Sequence, residues 1–298
     1  MGLGAGGPSR LGALSGCTKE ASCRVVHAAL DLGINLFDTS ESYGTEALLG
    51  SALREARRED IVICTKLHGG IDGRAKNLRE VEATLDESLM QLGTDYVDVY
   101  MMHAIGTRRY DAIAVPLLPS LQKMKDKGKI RAIGITECFG VDCGHNMLQR
   151  ALVDDAYDVM MVGFNLLNTS ARETVLDRAR EQEVGVLDMF AVRKALRDVS
   201  TLRDYLHACL SSDEFVSDGA KFVDTIQSAL VEGVCESLTE MAYRYCLFTP
   251  GIDCVLTGTG SEAHLRANAA AVEKGALPLR LVEAITACSA GWYDLTAQ

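Results

Sequence analysis

The sequence predicts a parallel α/β fold, which in its simplest form is an eight-stranded (β/α)8 barrel, also called a TIM barrel. Three observations lead to this expectation. Apolar segments of strand length recur along the chain, and each stays apolar over several successive positions, as parallel strands buried on both faces require. Segments of helical periodicity separate them. The 298-residue length also suits one barrel domain.

Seven strands are predicted from these apolar segments. In chain order they are INLFDT, IVICTK, YVDVYMMH, IRAIGIT, DVMMVGFN, VGVLDMF and DCVLTG. The glycine-rich start, GLGAGG, is expected to supply the eighth strand that would close a barrel. It also fits the spacing G-x-G-x-x-G, but no strand precedes it, so a dinucleotide-binding Rossmann turn is not expected there. A doubly wound open sheet stays open as an alternative.

The clearest helix lies in the segment NLREVEATLDESLMQLG. Its apolar side chains recur at spacings of three and four and form one stripe: Leu78, Val81, Leu85, Leu89 and Leu92. Asn77 can cap the start together with Glu80, and Gly93 can end the helix. The segments that contain PSLQKMKDKGK and NTSARETVLDRAREQE repeat this pattern.

The regular alternation of strands and helices is interrupted once. Residues 197–238, between the seventh strand and the segment TEMAYRYCLF, read as mixed helix and loop. Their composition is not that of a linker. We therefore expect residues 1–298 to form a single barrel domain, with residues 197–238 as an elaborated loop and helical insertion after the seventh strand.

The composition excludes several classes of function. The net charge of −11 argues against a nucleic-acid or anionic-membrane partner. Ten cysteines are scattered through the chain, several of them inside apolar segments, and none shows the spacing of a zinc site, so buried free thiols and no metal are expected. The sequence shows neither a secretory signal nor an apolar run of membrane-spanning length, which favours a cytoplasmic protein.

Ionisable residues stand at the ends of three successive predicted strands. INLFD ends in Asp38, IVICTK in Lys66 and YVDVYMMH in His103, while Tyr43 follows Asp38 on the next loop. In a (β/α)8 barrel the carboxyl ends of the strands surround the active site. Each residue alone has a structural explanation, such as a turn cap, a solvated charge, a core histidine or a packed ring. Together they are harder to explain in this way, since charged groups at buried strand ends are costly unless they pair.

These four residues suit proton donation to a carbonyl oxygen while a hydride adds to the carbon. A free tyrosine has a pKa of about 10, and a neighbouring ammonium favours the phenolate. Lys66 can therefore lower the pKa of Tyr43, Asp38 can hold Lys66, and His103 can orient the carbonyl. Tyr43 would be the general acid and base.

The ordered set FDTSESYG, TK and MMH resembles the catalytic tetrad of the aldo-keto reductase family. GKIRAIGIT, VGFNLLN and VLTGTGSEAHLRAN extend the resemblance over nearly the whole chain. It implies a barrel, an NADP or NAD cofactor and a small carbonyl or alcohol substrate, such as an aldehyde, a ketone or a sugar-like compound. The family also carries a β-hairpin that plugs the barrel ahead of the first strand, and this plug is expected to be missing here.

The resemblance implies a nicotinamide site with altered contacts. Family members hold the nicotinamide amide with Ser-Asn after strand five and a Gln on strand six, where this chain has Thr136, Glu137 and Met161. Thr136 can still form a hydrogen bond, whereas Met161 cannot replace an amide and an ionised Glu137 can only accept. Phe190 is the candidate for stacking on the nicotinamide. Gly4 and Asp38 are also expected beside the cofactor.

The adenosine end is implied to lie after strand eight. Ser261 can cap the next helix, whose free N–H groups suit phosphate. His264 and Gly258 stand where NADP-preferring relatives place basic residues, Asn268 matches an adenine contact, and Arg193 can reach the pyrophosphate. The complete predicted cofactor set is Gly4, Asp38, Thr136, Phe190, Arg193, Thr257, Gly258, Thr259, Ser261, His264 and Asn268. The preference between NADP and NAD stays open.

The altered nicotinamide contacts and the expected absence of the plug are also compatible with a different function. A barrel that binds the cofactor without turnover could serve as a sensor or an interaction subunit. The sequence does not select the substrate, the direction of the reaction or the oligomeric state.

Overall fold

The computed structural model describes residues 1–71 and 73–298. Eight parallel strands close into a barrel in which neighbours in sequence are neighbours in space, and the first strand pairs with the last. The strands are β1 (Gly2–Gly4), β2 (Leu36–Asp38), β3 (Val62–Leu67), β4 (Val97–Ile105), β5 (Ile130–Glu137), β6 (Val159–Gly163), β7 (Gly185–Met189) and β8 (Cys254–Thr257). The predicted barrel is confirmed, including the eighth strand at the glycine-rich start.

Helices surround the barrel and connect its strands. They are α1 (Lys19–Asp31), α2 (Glu46–Leu53), α3 (Leu78–Leu92), α4 (Val115–Asp126), α5 (Asn146–Asp154), α6 (Asp177–Glu181), α7 (Val199–Cys209), α8 (Ser212–Glu214), α9 (Ala220–Val231), α10 (Leu238–Leu247), α11 (Glu262–Glu273) and α12 (Leu279–Ser289). Helix α3 matches the sequence prediction at both ends. Asn77 forms the capping box with Glu80, and Gly93 ends the helix in the left-handed conformation.

The apolar side chains form two packed regions because successive strand residues point to opposite faces. A small cluster fills the barrel interior: Cys64, Val99, Met101, Met161 and Leu187. A much larger core lies between the strands and the helices. Near the carboxyl ends of β2, β3 and β4, the interior positions are no longer apolar. The next inward-facing positions after Leu36, Cys64 and Met101 are Asp38, Lys66 and His103, respectively.

Two elements beyond the regular strand–helix repeat lie on the carboxyl-terminal side of the barrel. A short antiparallel hairpin, Gly70–Ile71 with Arg74–Ala75, follows β3. The segment 197–238, predicted as an insertion, contains α7, α8 and α9. Among the residues that the structure describes, no helix combines the length and the hydrophobicity needed to span a membrane.

Candidate active site

The predicted ion pair between Lys66 and Asp38 is formed at the ends of two adjacent strands. Lys66 and Asp38 make a direct ion pair between Nζ and Oδ1, and their side chains are only 1% and 6% exposed. Lys66 Nζ also donates to the carbonyl of Thr39 at 2.7 Å. Burial acts to lower the pKa of Lys66, but the electrostatic effect of the Asp38 carboxylate, with a smaller one from Tyr43, outweighs it and raises that pKa above its usual value. Lys66 is therefore a fixed cation.

Tyr43 lies directly above this pair. Lys66 Nζ is 5.1 Å from the centroid of the Tyr43 ring. The loop after β1 supports the tyrosine, because Arg10 donates to the Tyr43 carbonyl at 3.0 Å. Gly6 passes so close to the ring that a Cβ there would lie 2.4 Å from Tyr43 Cε2. A side chain at position 6 would displace the ring, so glycine is required at this close approach.

Two electrostatic effects oppose each other at Tyr43. Burial raises the pKa of Tyr43 above that of an ordinary phenol, and the ammonium of Lys66 acts in the opposite direction without cancelling the effect of burial. The expectation that Lys66 brings this pKa below its usual value is therefore wrong for the structure, because the loss of hydration outweighs the nearby positive charge. The Tyr43 hydroxyl therefore holds its proton through the neutral range. This state suits a group that donates a proton to substrate.

His103 contacts the tyrosine hydroxyl. Tyr43 Oη lies 3.3 Å from His103 Nε2, and the two rings meet edge to face. Burial, with smaller contributions from Lys66 and His68, lowers the pKa of His103 to about 3. The imidazole is therefore neutral near pH 7, and it can take part in hydrogen bonds without carrying charge.

A bulge in β4 sets the direction of His103. The register of β4 against β5 shifts between Met102 and Ile105, and Ala104 has a φ of 51°. The Thr136 hydroxyl accepts a hydrogen bond from the Ala104 N–H at 2.7 Å. Thr136, predicted as a cofactor residue, thus supports the strand end that carries His103, and it is not among the residues that line the cavity described next.

A cavity of about 730 Å³ opens beside Tyr43. Eight of the predicted cofactor residues line it: Gly4, Asp38, Phe190, Arg193, Gly258, Thr259, His264 and Asn268. Met161 also faces it. The cavity therefore runs from Tyr43 along the end of β8 to α11.

Phe190 and Arg193 form one wall of this cavity. Phe190 has a φ of 79°, a strained conformation for a residue with a side chain. The Arg193 guanidinium lies 4.1 Å from the centroid of the Phe190 ring. Arg193 also donates to the Thr296 carbonyl at 3.1 Å and to Gln298. The pyrophosphate contact that the sequence suggested for Arg193 would therefore compete with its bonds to the end of the chain.

The other two predicted cofactor residues lie behind the cavity. Thr257 is fully buried and bonds to Tyr243 at 2.9 Å and to Asn268 at 3.0 Å. It therefore orients Asn268 toward the cavity. Ser261 caps α11, because its hydroxyl accepts from the His264 N–H at 3.4 Å. The N-terminal end of α11, which the sequence predicted to face phosphate, is therefore capped by Ser261 as expected.

Glu137 is withdrawn from the cavity. Its side chain is fully buried, and both oxygens lie 3.0 Å from His145 Nδ1. One of these oxygens also accepts from the Gly163 N–H at 2.7 Å. His145 Nε2 in turn lies 3.0 Å from the Ser170 hydroxyl. The expectation that Glu137 stands at the nicotinamide amide is not supported by its position, because the buried His145 holds its carboxylate.

Three residues of the site, Lys194, Arg197 and Ser40, were not predicted from the sequence, whereas His68 in KLHGG was considered either a pocket residue or a loop residue. Lys194 and Arg197 add two cations to the cavity beside Arg193. The basic cluster VRKALR directly after strand seven was the signal that could have identified them. Ser40 and His68 both contact His103, and these two contacts were not predicted. No pattern in the sequence links these two side chains to His103, because the contacts depend on the loops above the barrel.

The whole-chain comparison points to one family. A model of the Aldo/keto reductase family matches residues 1–290. L-galactose dehydrogenase from Arabidopsis thaliana is 29% identical over 272 residues, which cover 89% of this chain and 82% of that protein. NADH-specific methylglyoxal reductase from Escherichia coli (strain K12) is 28% identical over 227 residues, covering 69% of this chain and 67% of that protein.

Solved structures show the same architecture. An aldo-keto reductase from Bacillus halodurans in its holo form is similar with a TM-score of 0.72 at 22% identity, covering 97% of this chain and 91% of that one. Another from Klebsiella pneumoniae, in complex with NADP and acetate, has a TM-score of 0.69 at 22% identity and covers 96% and 89%. At such identities these similarities show the fold. The family match, which spans nearly the whole chain, shows that this protein belongs to the aldo/keto reductase family.

Proposed function

We propose that this protein is an NAD(P)-dependent oxidoreductase that transfers a hydride between a nicotinamide cofactor and a small carbonyl or alcohol substrate. The observation that carries the proposal is the arrangement of Tyr43. Its hydroxyl lies 3.3 Å from His103 Nε2, its ring lies 5.1 Å from Lys66 Nζ, and it opens onto a cavity of about 730 Å³. A proton donor and a fixed cation thus meet at one point of the barrel mouth.

Each of the four residues has a distinct role in this proposal. Tyr43 donates its proton to the substrate oxygen in reduction and takes one back in oxidation. Lys66 stabilises the tyrosinate that remains, since its ammonium lies beside the ring and keeps its charge. Asp38 holds Lys66 in place. His103 is neutral and directs the substrate oxygen toward the tyrosine.

The cavity has properties that suit NADP or NAD. Arg193, Lys194 and Arg197 supply positive charge for phosphate groups, and the capped start of α11 offers free backbone N–H groups. Phe190 lines the same cavity as Tyr43 and supplies an aromatic side chain there. When bound, the nicotinamide cofactor supplies or accepts the hydride.

The relatives suggest where a substrate screen should start. One is named for L-galactose and another for methylglyoxal, so aldoses and small 2-oxoaldehydes are the first compounds to test. Helices α7, α8 and α9 belong to the segment 197–238 after β7, and the hairpin at Gly70–Ile71 stands near the opposite side of the mouth. We propose that these additions select the substrate.

One observation favours the second candidate, a barrel that binds the cofactor without turnover. Glu137 is tied to His145, and Met161 cannot bond to an amide, so the nicotinamide amide loses two of the contacts that the family resemblance implies. Calorimetric titration with NADPH and NADH, followed by a carbonyl screen, separates the candidates. Tight binding with no turnover of any carbonyl would support the second candidate, and binding of neither cofactor would contradict both.

The decisive variant is Tyr43→Phe. We expect turnover to fall by about 10²–10⁴-fold, because the substrate oxygen loses its proton donor. The dissociation constant for NADPH should stay close to that of the wild type, since phenylalanine keeps the ring. Steady-state kinetics and calorimetry of both proteins measure the two effects. Equal turnover in the two proteins would rule out Tyr43 as the general acid.

A further inference from the structure

Three side chains surround the His103 imidazole. Ser40 Oγ lies 3.1 Å from Nδ1, Tyr43 Oη lies 3.3 Å from Nε2, and the His68 ring stacks on one face at 4.8 Å between centroids. Ser40 is fully buried. Both ring nitrogens are therefore engaged in hydrogen bonds, and their partners differ in what they can donate.

A neutral imidazole carries its one proton on either Nδ1 or Nε2, and the two tautomers have opposite consequences for the site. With the proton on Nε2, His103 donates toward Tyr43 and the substrate oxygen. With the proton on Nδ1, the Nε2 lone pair faces Tyr43 and accepts the phenolic hydrogen. In the second case, a hydrogen bond to Nε2 holds the phenolic proton that Tyr43 must transfer to the substrate.

The choice between the two tautomers depends on where the Ser40 hydroxyl proton points. The Ser42 N–H donates to Ser40 Oγ at 3.4 Å, and the Ser42 hydroxyl lies 3.1 Å from the same oxygen and can donate to it as well. Besides the histidine and Ser42, the Ser40 proton could go to the Lys66 carbonyl, at 3.5 Å, which is the outer limit of a hydrogen bond. Donation to His103 Nδ1 at 3.1 Å is a better arrangement than donation to that carbonyl, and donation to the Ser42 hydroxyl at the same distance is the alternative that would leave Nδ1 protonated.

We propose that Ser40 is a positioning residue that holds His103 in the tautomer protonated at Nε2, so that His103 donates to the substrate oxygen and Tyr43 keeps its own proton free for transfer. The inference rests on the proposed function for the role of Tyr43. The tautomer itself is a property of the resting protein, and it can be measured without turnover.

The first test is nitrogen-15 NMR of the histidine side chains in the full-length protein. Long-range proton–nitrogen correlation distinguishes protonated from unprotonated ring nitrogens, and His103→Gln assigns the signals by their loss. We expect the wild type to show His103 protonated at Nε2 and unprotonated at Nδ1. A wild-type spectrum with the proton on Nδ1 would overturn the proposal, whatever the activity of the protein.

The second test is Ser40→Ala, which removes the hydroxyl with little change in volume. We expect the Nδ1-protonated tautomer to become populated, kcat to fall by about tenfold and KM for the carbonyl to rise, because a lost hydrogen bond of about 1.4 kcal/mol corresponds to that factor. The dissociation constant for NADPH should not change. The matched control is Ser22→Ala in α1, which removes another buried serine hydroxyl, one without a hydrogen-bond partner among the described residues.

The outcomes separate this proposal from the proposed function. An unchanged His103 tautomer in Ser40→Ala, or an altered tautomer with unchanged kcat and KM, would contradict the role of Ser40. Full turnover in Tyr43→Phe would contradict the proposed role of Tyr43, and the wild-type spectrum would still establish whether His103 carries its proton on Nε2. A loss of activity in Ser22→Ala equal to that in Ser40→Ala would show that general destabilisation causes both.

Discussion

Asp188 is a carboxylic acid buried on the outer side of β7. One oxygen accepts from the Phe164 N–H at 3.2 Å, and Oδ2 has no hydrogen-bond partner among the described residues. Burial raises the pKa of Asp188 well above its usual range, with only partial compensation from Cys246 and the Phe164 N–H. The folded protein therefore keeps the proton on this side chain to a higher pH than the unfolded chain does.

The pH dependence of stability follows from that difference in protonation. In the unfolded chain Asp188 ionises near pH ~4, whereas the folded protein keeps the proton. The folded state then binds the extra proton, so this residue makes stability fall by about 1.4 kcal/mol per pH unit above pH ~4, until the folded pKa is reached. We expect Asp188→Asn to remove this slope and to gain stability relative to the wild type as the pH rises.

Urea unfolding of both proteins at several pH values between about 5 and 8 measures the effect. Asp213→Asn, which changes an exposed acid in α8, is the matched control. Parallel pH profiles for the wild type and Asp188→Asn would show that Asp188 ionises alike in the folded and unfolded states.

At the scale of the elements, the end of β4 depends on a side chain from β5. The bulge frees the Ala104 N–H from the strand ladder, and the buried Thr136 hydroxyl accepts it at 2.7 Å. We expect Thr136→Val to cost about 1–3 kcal/mol of unfolding free energy, because this N–H loses its acceptor. Turnover should fall as well, since the bulge directs His103.

Thr136→Ser keeps the hydroxyl and is the matched control for this prediction. Urea unfolding and steady-state kinetics should place it near the wild type. If Thr136→Val instead keeps its stability but binds NADPH more weakly, Thr136 is a cofactor contact, as the family resemblance implies, and its role in the bulge is minor.

The loop after β1 and the loop after β2 meet at a contact that only glycine permits. A Cβ at position 6 would lie 2.4 Å from Tyr43 Cε2 and 2.7 Å from Cζ. We expect Gly6→Ala to displace the Tyr43 ring and to lower kcat by more than about tenfold, since a shift near 1 Å at reacting groups has a large effect. Steady-state kinetics of the purified variant measures this loss.

Gly106→Ala is the control for the loop contact. An added Cβ at Gly106, just beyond β4, meets no atom within 4 Å. This variant should keep near wild-type turnover. If Gly6→Ala were equally active, the ring of Tyr43 would have room to move without losing its function.

At the scale of the whole molecule, the charge distribution is uneven. The net charge is −11, yet Arg193, Lys194 and Arg197 gather at one cavity. A local basic site on an acidic protein concentrates anions only where its own field exceeds that of the surface. The dinucleotide phosphates would therefore bind through contacts that salt can screen.

We expect the NADPH dissociation constant to increase by roughly tenfold between about 50 and 300 mM salt, because exposed charges on the cavity rim are screened. Arg197→Ala should weaken NADPH binding at low salt and reduce this dependence. Arg79→Ala, which removes an exposed arginine on α3, serves as the control. Calorimetric titration at several salt concentrations measures this dependence. If the NADPH dissociation constants of the wild type and Arg197→Ala change equally with salt, Arg197 does not contact the cofactor phosphates.

The sequence alone predicted the barrel, with an open sheet as the alternative, and placed the four candidate residues at its mouth. Strands buried on both faces are apolar without interruption, and the ends of parallel strands come together at one edge, so the strand pattern by itself places Asp38, Lys66 and His103 near each other. The capping residues of α3 were equally readable, because Asn77, Glu80 and Gly93 act within a few positions of one another.

Only the tertiary structure decided how the remaining polar groups are used. Glu137 could have faced the cofactor, but a histidine eight positions later in the chain folds back to bind it. Thr136 supports β4, and Ser40 reaches His103 on β4 from the loop after β2. These contacts depend on loop conformation and on a bulge, in which a shift of one residue changes every partner. Patterns in the sequence show which face of a strand is buried, whereas hydrogen bonds between distant loops are set by distances that exist only in the folded chain.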